Sequence, residues 1–204
     1  MPAAAKENAL PRLARGLALA AVLLAATACT SGGKRESPAT TAARAAPAPA
    51  PLRIDLRASA TGAKRAADAK RAAKQASPAL QRFLQRYLQA AFLQAPGGRS
   101  GWNDLLALFD PPVKAAARTQ LDALSLGGDA AKVTAVRPGR TVARALLLLD
   151  GGRPVAATVR LSFDGTADTA QGSGPVHLRS AFHLLQTDGG WRIAAFSSRT
   201  GPSS

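Results

Sequence analysis

An α+β fold, helices first and then a meander of strands, is what this sequence predicts, and three observations predict it. Between Leu80 and Phe92 the apolar residues recur at helical spacing. From residue 131 onward they recur at every second position. Asp150-Gly151-Gly152 and Asp188-Gly189-Gly190 punctuate that second half as hairpin turns. Helices in one run and strands in the next place the helices on one face of a single sheet. The expectation is three helices on a mainly antiparallel sheet of four to five strands, spanning residues 77–204.

The chain opens differently. Residues 1–28 have the parts of an export signal: Lys6, Arg12 and Arg15, an apolar run from Leu17 to Ala28, and small residues before Cys29. The run falls short of the roughly 20 residues that span a bilayer. Ala26-Thr27-Ala28-Cys29 resembles the bacterial lipoprotein signal, in which the cysteine is diacylated and becomes the N-terminus. Ala26 stands where that family usually has leucine, and Ala-Thr-Ala also satisfies ordinary secretory cleavage, which would leave a free thiol. Cys29 is the only cysteine, so no disulfide competes for it. Two acyl chains, at about 0.8 kcal/mol per buried CH₂, anchor stably where one is marginal. The expected location is the extracytoplasmic face of a cell membrane.

Residues 29–62 read as a disordered tether, rich in Ala and Pro and without enough apolar surface to offset ordering entropy. Residues 63–76 are strong helix formers whose only apolar members are alanines. That segment reads as a solvated helical extension or as a basic strip, with Lys64, Arg65, Lys70, Arg71 and Lys74 meeting anionic headgroups. The formal charge of the chain is +15, and residues 34–76 hold ten basic and three acidic side chains. An exported protein with no aromatics between its cations is a poor fit to nucleic acid.

Within the domain, Ser77-Pro78 reads as a helix start with an N-cap serine and proline at the first helical position. Leu80, Phe83, Leu84, Tyr87, Leu88, Ala91 and Phe92 then form one stripe, ended by Pro96-Gly97-Gly98. A second helix runs from Trp102 to Phe109. Asp110 caps a third that turns Val113, Ala117, Leu121 and Leu124 inward and closes at Gly127-Gly128. Strands are expected at 131–137, 141–149, 154–163, 175–186 and 191–199.

Three helices, a WNDLLALF-type second helix, and a terminal HLLQTDGGWRIAAF hairpin resemble the NTF2-like α+β cone, most of all actinobacterial Mce-associated proteins and SnoaL-like members. The resemblance implies a strongly bent sheet wrapped around the helices. It also implies two further possibilities: an enzyme of the cyclase or isomerase type acting on a hydrophobic molecule, and an accessory subunit of a membrane transport complex. Family enzymes place a carboxylate or histidine inside the cone.

Strand parity tests that placement. The inward positions are Val155, Ala157, Val159, Leu161 and Phe163, then Val176, Leu178, Ser180, Phe182 and Leu184, then Trp191, Ile193 and Ala195. None ionises, so no tuned acid or base is expected there. Asp104 and Tyr87 are candidates for the cone mouth, with a surface Asp and a core-edge Tyr as the plainer reading. His177 and His183 lie six residues apart on one strand, about 20 Å, too far to share a metal ion. No metal and no cofactor are expected. Parity instead gathers Arg160, His177, Arg179, His183 and Arg192 on the outer face, with Arg144 joining if its strand takes that register. Arginines with almost no acid among them form a candidate anion-binding face, with an ordinary solvated sheet face as the plainer reading. The function expected is therefore non-catalytic: a lipid-anchored binding or accessory module, with anionic lipid, a glycan or an envelope protein as partner.

Overall fold

A strand, not a helix, comes first. The computed structural model describes residues 52–94 and 99–201; the signal segment, Cys29, the tether up to residue 51 and the Pro96-Gly97-Gly98 stop lie outside them. Strand β1 (Asp55–Thr61) is followed by helices α1 (Ala66–Leu88), α2 (Arg99–Leu106), α3 (Pro111–Thr119) and α4 (Leu121–Leu124). Strands β2 (Val133–Asp150), β3 (Arg153–Thr169), β4 (Gly172–Thr187) and β5 (Gly190–Gly201) complete the chain. The five strands form one sheet in sequence order, with β1 parallel to β2 and every other pair antiparallel. The protein is thus α+β with a mixed sheet. Among the described residues a strand comes first and four α-helices and a short 3-10 segment, Gly127–Lys132, follow it, where three leading helices were expected.

Two boundaries move. The expected tether ends before β1, because Asp55, Arg57, Ser59 and Thr61 alternate with Leu56, Ala58 and Ala60, and the second set packs on the core. The expected helix start at Ser77 falls inside α1, which begins at Ala66. The Ser77 hydroxyl donates to the Ala73 carbonyl four residues back, at 2.7 Å, instead of capping. Pro78 is carried within the helix, where its missing N–H leaves the Lys74 carbonyl without its usual donor. Burial decides the matter: Ala72, Ala73 and Ala76 join the core, and their small side chains let α1 approach β1 closely. Gly62 makes the turn between them. Its φ is +88°, and a Cβ there would sit 2.5 Å from the Leu149 carbonyl oxygen.

The later helices are shorter and differently joined. One π turn over Gln89–Leu93 extends α1. α2 stops at Leu106, and the next residues leave the helix to pair with β5: Ile193 N–H donates to Leu108 O and Asp110 N–H to Ile193 O, both at 2.9 Å. Asp110 occupies the N-cap position of α3, but its side chain makes no capping bond. The expected single third helix is divided between α3 and α4, with Ala117 and Leu124 buried as the stripe requires.

The strands are longer than their apolar patterns suggest. The expected strands 131–137 and 141–149 are one strand, β2, with a register shift between Pro138 and Thr141. Gly139 lies there, and a Cβ on it would meet the Asp164 carbonyl oxygen at 2.8 Å. Two further shifts overturn local parity. Between Leu148 and Leu149 the partner strand skips Val155, which turns outward. On β5 the skipped residue is Ala194, so Ala195 pairs with His183 on the outer face and Phe196 swings inward against Phe109, with ring centroids 5.3 Å apart. The other inward positions are buried as expected, Ala157 through Phe163 on β3 and Val176 through Leu184 on β4 among them.

The core lies between α1 and the inward sheet face. Tyr87 meets Phe182 edge-on at 4.9 Å and Phe92 meets Phe163 at 5.1 Å. A small polar network ties α4 to the sheet. Tyr87 donates to Leu124 O at 2.9 Å, Ser180 and Ser198 share a hydrogen bond at 2.6 Å, and Ser198 and Thr200 both donate to Ala123 O. Thr141 Oγ1 is buried without a hydrogen-bond partner in the protein.

Candidate functional site

Chemistry inside the domain would need a group that can gain or lose a proton near neutral pH. Among the described residues, the buried polar side chains outside the aromatic core are Ser125, Thr141 and Ser180. Tyr87 is fully enclosed, not at a cavity mouth. Burial drives its phenol far above the ordinary range, and the nearby Ser180 and Ser198 hydroxyls offset this only in part. Asp104 is exposed on α2, beside a polar depression of about 250 Å³ that Arg86, Gln89 and Gln94 also line. The structure does not bring Tyr87 and Asp104 together. Among the described residues no three of His, Cys, Asp and Glu cluster to hold a metal ion.

The outer sheet face is where the expected residues are sorted. Arg160, on β3, is exposed and points outward as parity requires. Arg179 does not extend a free cationic surface: its Nη1 donates to Asp164 Oδ1 at 2.9 Å. His177 Nδ1 lies 2.8 Å from the same oxygen. Arg192 reaches off the strand instead, donating from Nη1 to the Ala107 carbonyl at 2.8 Å and so pinning the segment after α2. His183 pairs through Nδ1 with Thr158 Oγ1 at 3.2 Å. Of the five residues expected to make an anion-binding face, His177 and Arg179 share Asp164, while Arg160, Arg192 and His183 have no ion-pair partner among the described residues.

The Asp164 group is structural. Its partial burial alone would raise the carboxyl pKa, but hydrogen bonds from His177 and Arg179 and the Arg179 charge outweigh it and hold the group below the usual carboxylate range. A group depressed on folding contributes stability above its unfolded value and loses it as pH falls through the native value. Asp164→Asn is therefore expected to cost about 1 kcal/mol at neutral pH. The gap to the parent should close below about pH 4. Urea midpoints of parent and variant at neutral and acid pH read this directly.

Arg144 takes the register that joins it to Arg160, and what sequence reasoning missed is Arg57. Arg144 pairs with Arg160 across β2 and β3, and Arg57 pairs with Arg144 across β1 and β2. Three arginines thus stand side by side on adjacent strands, at about 4.8 Å per strand. Among the described residues neither Arg144 nor Arg160 has an ion-pair partner, and Asp55 lies 3.8 Å from Arg57 with both side chains exposed, which is a weak pairing. A depression of about 470 Å³ is lined by this row with Ser59, Leu146 and Thr158. Along the strands from the row toward the β2–β3 turn lie the four exposed large aliphatics of the described chain: Leu146 and Leu148 at 50%, Leu185 at 43% and Val155 at 37%. The signal was present in 141–149, which is apolar on both faces where a solvated strand alternates.

The five cations expected to meet headgroups, Lys64, Arg65, Lys70, Arg71 and Lys74, are exposed around the first turns of α1, with Asp68 3.8 Å from Arg71. α1 packs on the opposite sheet face, but at the β1 edge Arg65, Lys70 and Lys74 line one depression of about 850 Å³ with Arg57 and Ser59. No described helix is long and apolar enough to cross a membrane.

Fold and surface together define an α+β protein with helices covering one sheet face and an arginine and leucine surface on the other. The chain matches no protein-family model, and no curated protein matches it significantly. Among solved structures it is similar to a single-substitution variant of Rv3472, a function-unknown protein from Mycobacterium tuberculosis. The identity is 22% and the TM-score 0.42, over 69% of this chain and 78% of that one.

Proposed function

We propose that this protein is a lipid-anchored, non-catalytic binding module of the bacterial envelope, built on an NTF2-like cone and held at the extracytoplasmic face through Cys29. The observation that carries the reading is the division of labour between the two sheet faces. The inward face is filled by Leu161, Phe163, Leu178, Phe182 and their neighbours against α1, with no buried carboxylate, imidazole or amine among the described residues. The outward face presents unpaired arginines and exposed leucines, the composition of a contact surface. An isomerase or cyclase would need a proton donor or acceptor beside its substrate.

Cys29→Ser tests the anchor. The wild-type chain should partition with membranes and into the detergent phase, and the variant should appear in the medium or accumulate as a precursor. Wild-type protein found in the aqueous phase would remove the lipid anchor from the reading.

A further inference from the structure

We infer that the outer face of the β1–β2–β3–β4 sheet is a docking surface for an anionic phospholipid bilayer, with Arg57, Arg144 and Arg160 at the phosphates and Leu146, Leu148 and Leu185 in the acyl boundary. This rests on the reading of the chain as an anchored envelope module and names the partner of its exposed face. The register supplies the arrangement. One cross-strand row is Arg57, Arg144 and Arg160; the next along the strands is Ser59, Leu146, Thr158 and His183; the next is Thr61, Leu148, Ala156 and Leu185. Rows on one face are two residues apart, about 7 Å, so cations and aliphatics form adjoining bands of one surface. Guanidinium forks match phosphate oxygens bidentately, and leucines beside them gain by leaving water.

Charge selects among occupants. A second copy meeting this face through a two-fold axis sets the patch against itself and brings the arginine rows together. The chain's own N-terminal stretch, residues 30–51, holds Lys34, Arg35 and Arg44 against Glu36, so it has the same sign. A partner of opposite charge with an apolar layer beneath it fits both bands, and a phosphatidylglycerol surface is that. From Cys29 to Leu52 the chain has 22 intervening residues, with a reach of up to about 75 Å, so an anchored domain can meet the bilayer that holds it.

The test uses the chain from residue 29 onward carrying Cys29→Ser, so that no acyl chain contributes. Its sedimentation with phosphatidylglycerol–phosphatidylcholine vesicles is compared with phosphatidylcholine vesicles alone. Binding should require phosphatidylglycerol and weaken as salt rises. Arg57→Gln, Arg144→Gln and Arg160→Gln together should weaken it about 100-fold. Leu146→Ser, Leu148→Ser and Leu185→Ser together should weaken it about tenfold or more at every salt concentration. Arg71→Gln, Arg82→Gln and Arg86→Gln, an equal loss of charge on α1 away from the depression that Lys70 and Lys74 share with Arg57, should leave it within about threefold of the parent. Thermal transitions of each variant exclude misfolding, and Arg160→Gln alone gives a milder probe if a triple variant is unstable. Loss of binding in the α1 variant but not the arginine variant overturns the proposal. Binding to glycerol phosphate, polyglutamate or a soluble anionic polysaccharide without preference for vesicles overturns it too. If the wild-type lipidated chain stays with membranes while the unlipidated chain ignores phosphatidylglycerol, the docking face is wrong and the anchor stands.

Discussion

A chain beginning at Ser77 is expected to lose cooperative unfolding, while one beginning at Leu52 keeps it. The shorter chain lacks β1 and the first half of α1. It therefore gives up the seven-residue parallel pairing from Asp55↔Val142 to Thr61↔Leu148 and the burial of Ile54, Ala72, Ala73 and Ala76. Loss of the edge strand also leaves β2 as the new edge, newly unpairing its backbone over Val142–Leu148, a stretch that runs into four consecutive leucines. Several kcal/mol of packing go with those residues, a large part of the roughly 5–15 kcal/mol that stabilises a domain. Thermal melts and size-exclusion profiles of the two chains check this: aggregation or a broad transition for the shorter, one sharp transition for the longer. Equal melting temperatures would mean that β1 and the start of α1 are appendages.

That result bears on why the sequence misleads at this point. Ile54, Leu56, Ala58 and Ala60 alternate with polar residues as a half-buried strand does, but the next six apolar positions, Ala63 to Ala73, are all alanine and the surrounding composition is that of a linker. Ser77-Pro78 is a sound helix-start signal by local chemistry, and tertiary burial of the alanine face overrides it. Period-two patterning located β2 through β5 and the two DGG turns because those strands bury large residues at every second position. Parity failed only where a bulge inserts one residue, at Val155 and Ala194, and nothing in the side-chain pattern announces an insertion. The site was legible in kind and not in membership. Arg160 faces outward because parity says so, but that Arg179 is held by Asp164 and Arg192 by Ala107 O depends on long-range register.

Phe182→Ala is expected to cost about 4 kcal/mol, near the upper end for a buried aromatic. Its ring is fully buried and lies edge-on to Tyr87, so the deletion opens space at the centre of the helix–sheet interface. In a domain of this size that is a fall of roughly 10–15 °C in melting temperature. Tyr87→Phe keeps the packing and removes the hydroxyl that donates to Leu124 O and meets Ser180 and Ser198, so it should cost about 1 kcal/mol. Differential scanning calorimetry separates the two. Near-equal losses would show that the hydrogen bond to α4, and not the aromatic packing, holds the interior together.

We propose that this protein works through the outer face of its sheet and that its interior serves packing alone. Because Cys29 is the chain's only cysteine, a Cys29→Ser background allows one new thiol to be labelled cleanly. Leu146→Cys and, on the exposed face of α1, Arg82→Cys can each carry an environment-sensitive fluorophore in the presence of phosphatidylglycerol vesicles. A blue shift and protection from aqueous quencher at position 146, with neither at position 82, is the predicted result. A shift at 82 with none at 146 would contradict the account.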